Sequence, residues 1–269
     1  MCHCPANTRN LAMTLKHVLR HTLLALALLS PVATATDAVQ ISMPRQDNTI
    51  GLRYLVFETG GAGAEDSLPM IVGLHYSGAE PQVMVEYFDT LNIKARIVLP
   101  RGPYARPEGR SWFPAELGVM GQAAQDAVAF DSAGKLAEFM AAARERHPTR
   151  GKPVVVGVSY GGDMALLLAL RHPNAVAAAF PVAARLLPGW FTAANTCKPH
   201  CPPIRALHGE DDATVAIGPT REGVARLSTL DYDASLASYP GVAHDFDARM
   251  ERDFAEQARK LVTANAKRD

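Results

Sequence analysis

This chain carries no excess charge of either sign: its 27 lysines and arginines balance 27 aspartates and glutamates. A zero balance supplies no basic field to gather a polyanion, so nucleic acid is not an expected partner, and no acidic tail is present to act as a solvating segment. Long apolar runs are missing too. Residues 23–29, Leu-Leu-Ala-Leu-Ala-Leu-Leu, fall far short of the about 20 apolar residues that a stable membrane-spanning helix needs. Internal repeats and long low-complexity tracts are absent. What is present is an ordinary balance, 48% hydrophobic and 20% charged over 269 residues, with ample material for a core.

The short apolar run has a specific context. Lys16, His17, Arg20 and His21 precede it, and Pro31 and Ala33-Thr34-Ala35 follow. A basic region, a short apolar region and an Ala-x-Ala site predict a secretory signal over residues 1–35, cleaved after Ala35. No cysteine stands at that cut, which gives no support to a lipid anchor, so a stable membrane anchor is not expected. Met13 is an alternative start. The expected location is the periplasm or the secreted fraction.

Cysteine is scarce, and Cys2 and Cys4 fall before or within the leader. The remaining two, Cys197 and Cys201, enclose Lys198, Pro199 and His200. In an oxidising compartment the simplest reading is a small-loop disulfide. A reduced pair and a metal site with His200 are the alternatives, and a closed zinc site lacks a fourth ligand nearby in sequence.

After the leader, strand-like and helix-like segments alternate. Strands are predicted at 52–58, 69–75, 95–99, 153–158, 176–182, 203–208 and 234–239. Helices are predicted at 80–91, 121–147, 161–171, 217–230 and 246–264. Nearly continuous apolar strands between helices predict one α/β domain over residues 36–269, with a mostly parallel sheet covered on both faces. The connection 184–203 is the longest without periodicity. It holds Trp190 and both remaining cysteines, and long ordered loops at strand ends often line sites.

The most informative stretch is Gly157-Val158-Ser159-Tyr160-Gly161. It joins the strand at 153–158 to the helix at 161–171, with a serine at the apex. So tight a turn needs flanking residues without side chains, and it leaves Ser159 alone at the sheet edge above free helix N–H groups. A serine is a weak nucleophile and needs a base, itself oriented by an acid. The strand at 203–208 leads into His208-Gly209-Glu210-Asp211-Asp212, which offers three carboxylates. His244 lies between the last strand and the last helix. Other histidines fit less well: His147 and His172 end helices, and His75 and His208 stand too early for a base that comes last.

In combination these segments resemble the α/β-hydrolases, and most closely the phospholipase/carboxylesterase group with its dienelactone-hydrolase-like members. Leu74-His75-Tyr76-Ser77-Gly78 resembles the oxyanion loop, and Ser111-Trp112-Phe113 resembles the segment after the next strand. Residues 157–161 match the nucleophile elbow. His208-Gly209-x-x-Asp212-x-x-Val215 resembles the acid motif, whose register selects Asp212 over Asp211 and Glu210. The likeness covers residues 50–265 and departs at Tyr76, where the family has glycine.

The resemblance implies the α/β-hydrolase fold and a catalytic triad of Ser159, Asp212 and His244. Oxyanion donors would be the backbone N–H of Tyr160 and that of Ser77 or Tyr76. Trp112, Phe113 and Trp190 are expected to line the substrate pocket, with Tyr76 beside the nucleophile. The implied partner is a small-molecule ester, cleaved through an acyl-enzyme without cofactor or metal. A thioesterase, peptidase or acyltransferase would use the same residues, and a non-catalytic ligand-binding member is the alternative of a different class.

Overall fold

The computed structural model describes residues 41–265, with side chains to residue 263; the leader expected at 1–35 lies outside the described residues. The strands are β1 (Arg45–Thr49), β2 (Leu52–Thr59), β3 (Leu68–Leu74), β4 (Ala95–Pro100), β5 (Tyr104–Ala105), β6 (Arg110–Ser111), β7 (Thr149–Val158), β8 (Ala178–Val182), β9 (Ile204–Gly209) and β10 (Ala234–Tyr239). The helices are α1 (Gln122–Arg146), α2 (Tyr160–Arg171), α3 (Ile217–Thr229) and α4 (Ala248–Asn265).

Eight strands form one sheet in the order β1-β2-β4-β3-β7-β8-β9-β10. The pairs β1–β2 and β2–β4 are antiparallel, and every other pair is parallel. After β3 the chain moves outward to β4, then crosses back so that β7 lies on the other side of β3. That reversal opens a crevice beyond the carboxyl ends of β3 and β7, where open α/β sheets place their ligands.

Two apolar layers cover the sheet. One contains Ala129, Leu136, Phe139 and Met140 of α1, most of α2, and Val224 and Leu227 of α3. The other contains Met250, Phe254 and Ala258 of α4, with Met84, Tyr87, Phe88 and Leu91 from the segment between β3 and β4. Every residue of α2 from Gly161 to Leu170 is buried, as its apolar character all round requires. Phe130 of α1 is only half-buried, and the Arg171 guanidinium covers its ring at 4.1 Å.

Three features differ from the sequence reading. The helix predicted at 80–91 is two short 3-10 turns, Pro81–Met84 and Glu86–Phe88. Val83, Val85, Tyr87 and Phe88 are poor helix formers, and packing of Met84, Tyr87 and Phe88 takes over. β1 was not predicted. Its sequence Arg-Gln-Asp-Asn-Thr has no apolar alternation, and it pairs on β2 through a tight turn at Ile50 (φ 45°) and Gly51 (φ 72°). Finally, the two-residue strands β5 and β6, which pair antiparallel, were not predicted either.

Candidate active site

The elbow is built by backbone contact. A Cβ on Gly157 would stand 2.1 Å from the Gly161 carbonyl oxygen, and one on Gly161 would stand 2.1 Å from that of Leu74. Only glycine lets β7, α2 and the end of β3 meet so closely. Between them Ser159 is held at φ 54°, ψ −119°, a conformation that side-chain-bearing residues rarely adopt. Its N–H donates to the Val182 carbonyl at 2.9 Å, and its carbonyl accepts the Asp163 N–H at 2.9 Å. Ser159 and Tyr160 are half-buried and line a cavity of about 690 Å³.

Asp212 and His244 come from the loops after β9 and β10. The Asp211 N–H donates to the Val242 carbonyl at 2.9 Å and ties one loop to the other. Asp212 is buried. Its Oδ1 accepts the N–H groups of Thr214 (2.9 Å) and Val215 (2.8 Å), and its Oδ2 lies 2.7 Å from His244 Nδ1. Burial pushes the Asp212 carboxyl upward, but the bonds from Val215, His244 and Thr214 outweigh it and leave it below its ordinary range. An ionised carboxylate only accepts, so His244 carries its proton on Nδ1 and leaves Nε2 with a lone pair. His244 lines the same cavity as Ser159.

His208 lies behind the acid. Its Nε2 is 2.7 Å from the Val215 carbonyl, which can only accept, so Nε2 bears the proton, and Asp212 Oδ2 stands 3.2 Å away. Nδ1 is buried without a partner among the described residues, and burial lowers the imidazole's pKa. A neutral His208 therefore braces the turn that holds Asp212. The sequence marked this histidine as part of a motif and as a base candidate that stands too early.

His75 does related work after β3. The Gly102 N–H donates to its Nε2 at 3.0 Å, so Nδ1 holds the proton and donates to the Tyr76 carbonyl at 2.8 Å. Burial lowers its pKa, in keeping with a neutral ring. In a trans peptide the C=O and N–H point opposite ways. With the Tyr76 carbonyl turned to His75, the Ser77 N–H faces away from that ring, and among the described residues it has no hydrogen-bond partner.

The aromatic wall needs correction. Trp112 and Trp190 are 2% exposed, Phe113 is fully buried, and none of them lines the cavity over Ser159. The Trp112 Nε1–H donates to the His75 carbonyl at 2.8 Å, which draws the indole inward; it borders a separate cavity of about 440 Å³. Phe113 packs edge-on against the Tyr160 ring at 5.0 Å. Trp190 lies under the Arg185 guanidinium, 5.6 Å from its ring centre. The cavity is lined instead by Tyr76, Tyr87, Tyr160, Arg185, Thr214 and Asp245, with others. Of these, Arg185 was missed, because its partner Asp163 is remote in sequence.

Cys197 and Cys201 are joined by a disulfide, with 4.9 Å between Cα atoms. Among the described residues, no group of three or more His, Cys, Asp or Glu is placed to hold a metal ion, and no helix is long and apolar enough to cross a membrane.

A model of the phospholipase/carboxylesterase family matches residues 62–261. Among solved structures, esterase PE8 is similar at a TM-score of 0.62 and 22% identity, over 74% of this chain and 94% of that one. A Mesorhizobium loti carboxylesterase gives 0.62 and 19%, over 81% and 99%. A Bacillus cereus carboxylesterase gives 0.61 and 14%, over 79% and 96%. At such identities the structural likeness speaks for the fold alone. No curated protein matches significantly. The family match and the sheet order together place this chain in the phospholipase/carboxylesterase family of the α/β-hydrolase fold.

Proposed function

We propose that this protein is an exported serine hydrolase of carboxylic esters, with Ser159, His244 and Asp212 as its triad. The observation that carries this reading is one cavity holding both Ser159, on its strained elbow, and His244, whose Nδ1 is fixed on Asp212 at 2.7 Å. That bond leaves Nε2 as the base. Ser159 Oγ adds to the ester carbonyl carbon while His244 Nε2 takes its proton. The tetrahedral intermediate collapses, the C–O bond to the alcohol breaks, and His244 returns the proton to the leaving oxygen. Water then repeats the sequence on the acyl-serine and releases the acid.

The developing oxyanion is to be held by two backbone donors, a contribution of about 3–4 kcal/mol per donor in comparable sites. The first is the Tyr160 N–H at the start of α2, where helix N–H groups are free. For the second, the direction of the 76–77 peptide favours Ser77 over Tyr76.

The test is a fluorophosphonate probe with a series of nitrophenyl esters. Covalent labelling confined to Ser159, with ester turnover lost in Ser159→Ala, supports the reading. An unlabelled, folded protein sinks it and leaves a ligand-binding role. Export rests on the leader alone and is tested separately: the N-terminus of periplasmic material should lie near Thr36, and an intact leader on cytoplasmic protein would refute it.

A further inference from the structure

One buried ion pair is not used by the chemistry above. Asp163 lies in the first turn of α2, just past the nucleophile, and its side chain is 1% exposed. Its Oδ2 accepts Arg185 Nε at 2.8 Å and stands 2.6 Å from Nη2, and its Oδ1 accepts the Arg185 backbone N–H at 2.8 Å. The guanidinium carbon also lies over two rings, 4.8 Å from the centre of Tyr160 and 5.6 Å from that of Trp190.

Such a pair is poor value as a stability device. Burying both charges costs about what their attraction returns, and apolar replacements often do as well. Burial pushes the Asp163 carboxyl up to about 6 even with Arg185 beside it. What the pair does supply is a fixed guanidinium edge. Arg185 is 24% exposed and lines the cavity that holds Ser159 and His244. Nε and Nη2 are engaged by Asp163, whereas among the described residues Nη1 has no hydrogen-bond partner. Among the described residues, Arg185 is also the only Lys or Arg in the cavity lining. Three tyrosines, Tyr76, Tyr87 and Tyr160, complete much of the wall. A planar carboxylate matches a guanidinium edge.

We propose that Arg185, held by Asp163, is the specificity determinant of this site and selects esters whose substrate carries a second, free carboxylate. The assignment rests on the esterase reading above. The carboxylate can belong to the acyl part, as in a dicarboxylic half-ester, or to the leaving group.

Matched pairs test the proposal. Monoethyl glutarate against ethyl valerate varies the acyl part, and 4-acetoxybenzoate against 4-acetoxytoluene varies the leaving group. In at least one pair the wild-type protein should favour the acidic member in kcat/KM by tenfold or more, mainly through KM. The double variant Asp163→Asn/Arg185→Gln removes both charges, so neither is left buried and unpaired. It should bring the acid-to-neutral ratio close to one. Arg185→Lys, which keeps the charge but not the fork, should give an intermediate ratio. No acidic preference in either pair, or a ratio unchanged in the double variant, overturns the proposal.

Glutarate itself provides a readout without turnover. Measured by calorimetry, it should bind the wild-type protein at least tenfold more tightly than the double variant. Equal affinity overturns the proposal whether or not any ester is cleaved. Tight glutarate binding without hydrolysis of any ester would instead count against the esterase reading alone.

Discussion

A Cβ added to Gly209 would stand 2.2 Å from the carbonyl oxygen of Val242. That contact sets the gap between two loops, one carrying Asp212 and the other His244. The Glu210 N–H on the Tyr239 carbonyl (3.0 Å) and the Asp211 N–H on Val242 (2.9 Å) close the seam. Gly209→Ala must push the loops apart and so lengthen the 2.7 Å bond between Asp212 and His244. A displacement near 1 Å costs on the order of 10²-fold in rate. Overpacking of this kind costs about 1–3 kcal/mol. Ester kinetics and denaturant titration of the variant check both. A variant as active as the wild type would mean that this contact does not set the triad.

The acid can be tested by its neighbour. Asp212 is buried on three hydrogen-bonded partners, while Asp211 is exposed and contributes only its backbone N–H to the seam. Asp212→Asn should lower kcat by on the order of 10³–10⁴, because an amide no longer enforces the tautomer of the base. Asp211→Asn should be close to neutral. The reverse ranking in steady-state assays would show that the register of the acid motif is wrong.

The elbow separates stability from activity. Ser159 sits at φ 54° and ψ −119°, and strain of this type costs about 1–3 kcal/mol for a residue with a Cβ. Ser159→Gly should therefore abolish ester turnover while raising the unfolding free energy by about 1 kcal/mol, part of the relief being lost to the greater freedom of the unfolded chain. Ser159→Ala should abolish turnover without that gain. Thermal unfolding of the three proteins side by side decides it, and a glycine variant less stable than the alanine variant would contradict the strain argument.

Away from the site, Glu58 is 1% exposed and holds two arginines, Arg45 and Arg96. Burial raises its pKa, but the hydrogen bonds from Arg45 and Arg96 outweigh it and bring it from 4.5 down to about 2. A depressed carboxylate stabilises the fold above its unfolded value and loses that contribution as pH falls toward the folded value. The shift corresponds to about 3 kcal/mol at neutral pH. Glu58→Gln should therefore be much less stable than the wild type at about pH 7, and the gap should shrink as pH falls from about 4.5 toward 2, where Glu58 is itself neutral. Unfolding midpoints measured across pH test this, and a gap independent of pH would mean that lost packing, not charge, is responsible.

The strands that lead into the candidate site were legible because their signals are local. The Gly157–Gly161 spacing matches the close backbone contacts at the elbow, and the candidate acid and base each follow an apolar strand that the structure contains. Features that depend on pairing across the fold were not legible. Arg185 and Asp163 are 22 residues apart and meet only when the turn after β8 packs against α2. β1 is polar throughout and takes its identity from β2. The aromatic residues misled for a related reason. An indole near a strand end looks like a pocket wall in sequence, but Trp112 is drawn into the interior by its bond to the His75 carbonyl.

That bond gives the last prediction. Tyr76 is 39% exposed and lines the cavity, whereas Trp112 does not. Tyr76→Ala should thus change the relative rates on acetyl, butyryl and octanoyl nitrophenyl esters. Trp112→Phe keeps an aromatic ring in the core but deletes the Nε1–H that holds the His75 carbonyl. It acts on the oxyanion loop through His75, whose Nδ1 fixes the Tyr76 carbonyl at 2.8 Å. A loosened donor weakens the transition state for every acyl chain alike. The expected result is a uniform fall in kcat of about tenfold, with the chain-length ranking and KM retained. If Trp112→Phe reorders the esters and Tyr76→Ala does not, the indole reaches the substrate after all and the corrected wall of the pocket is mistaken.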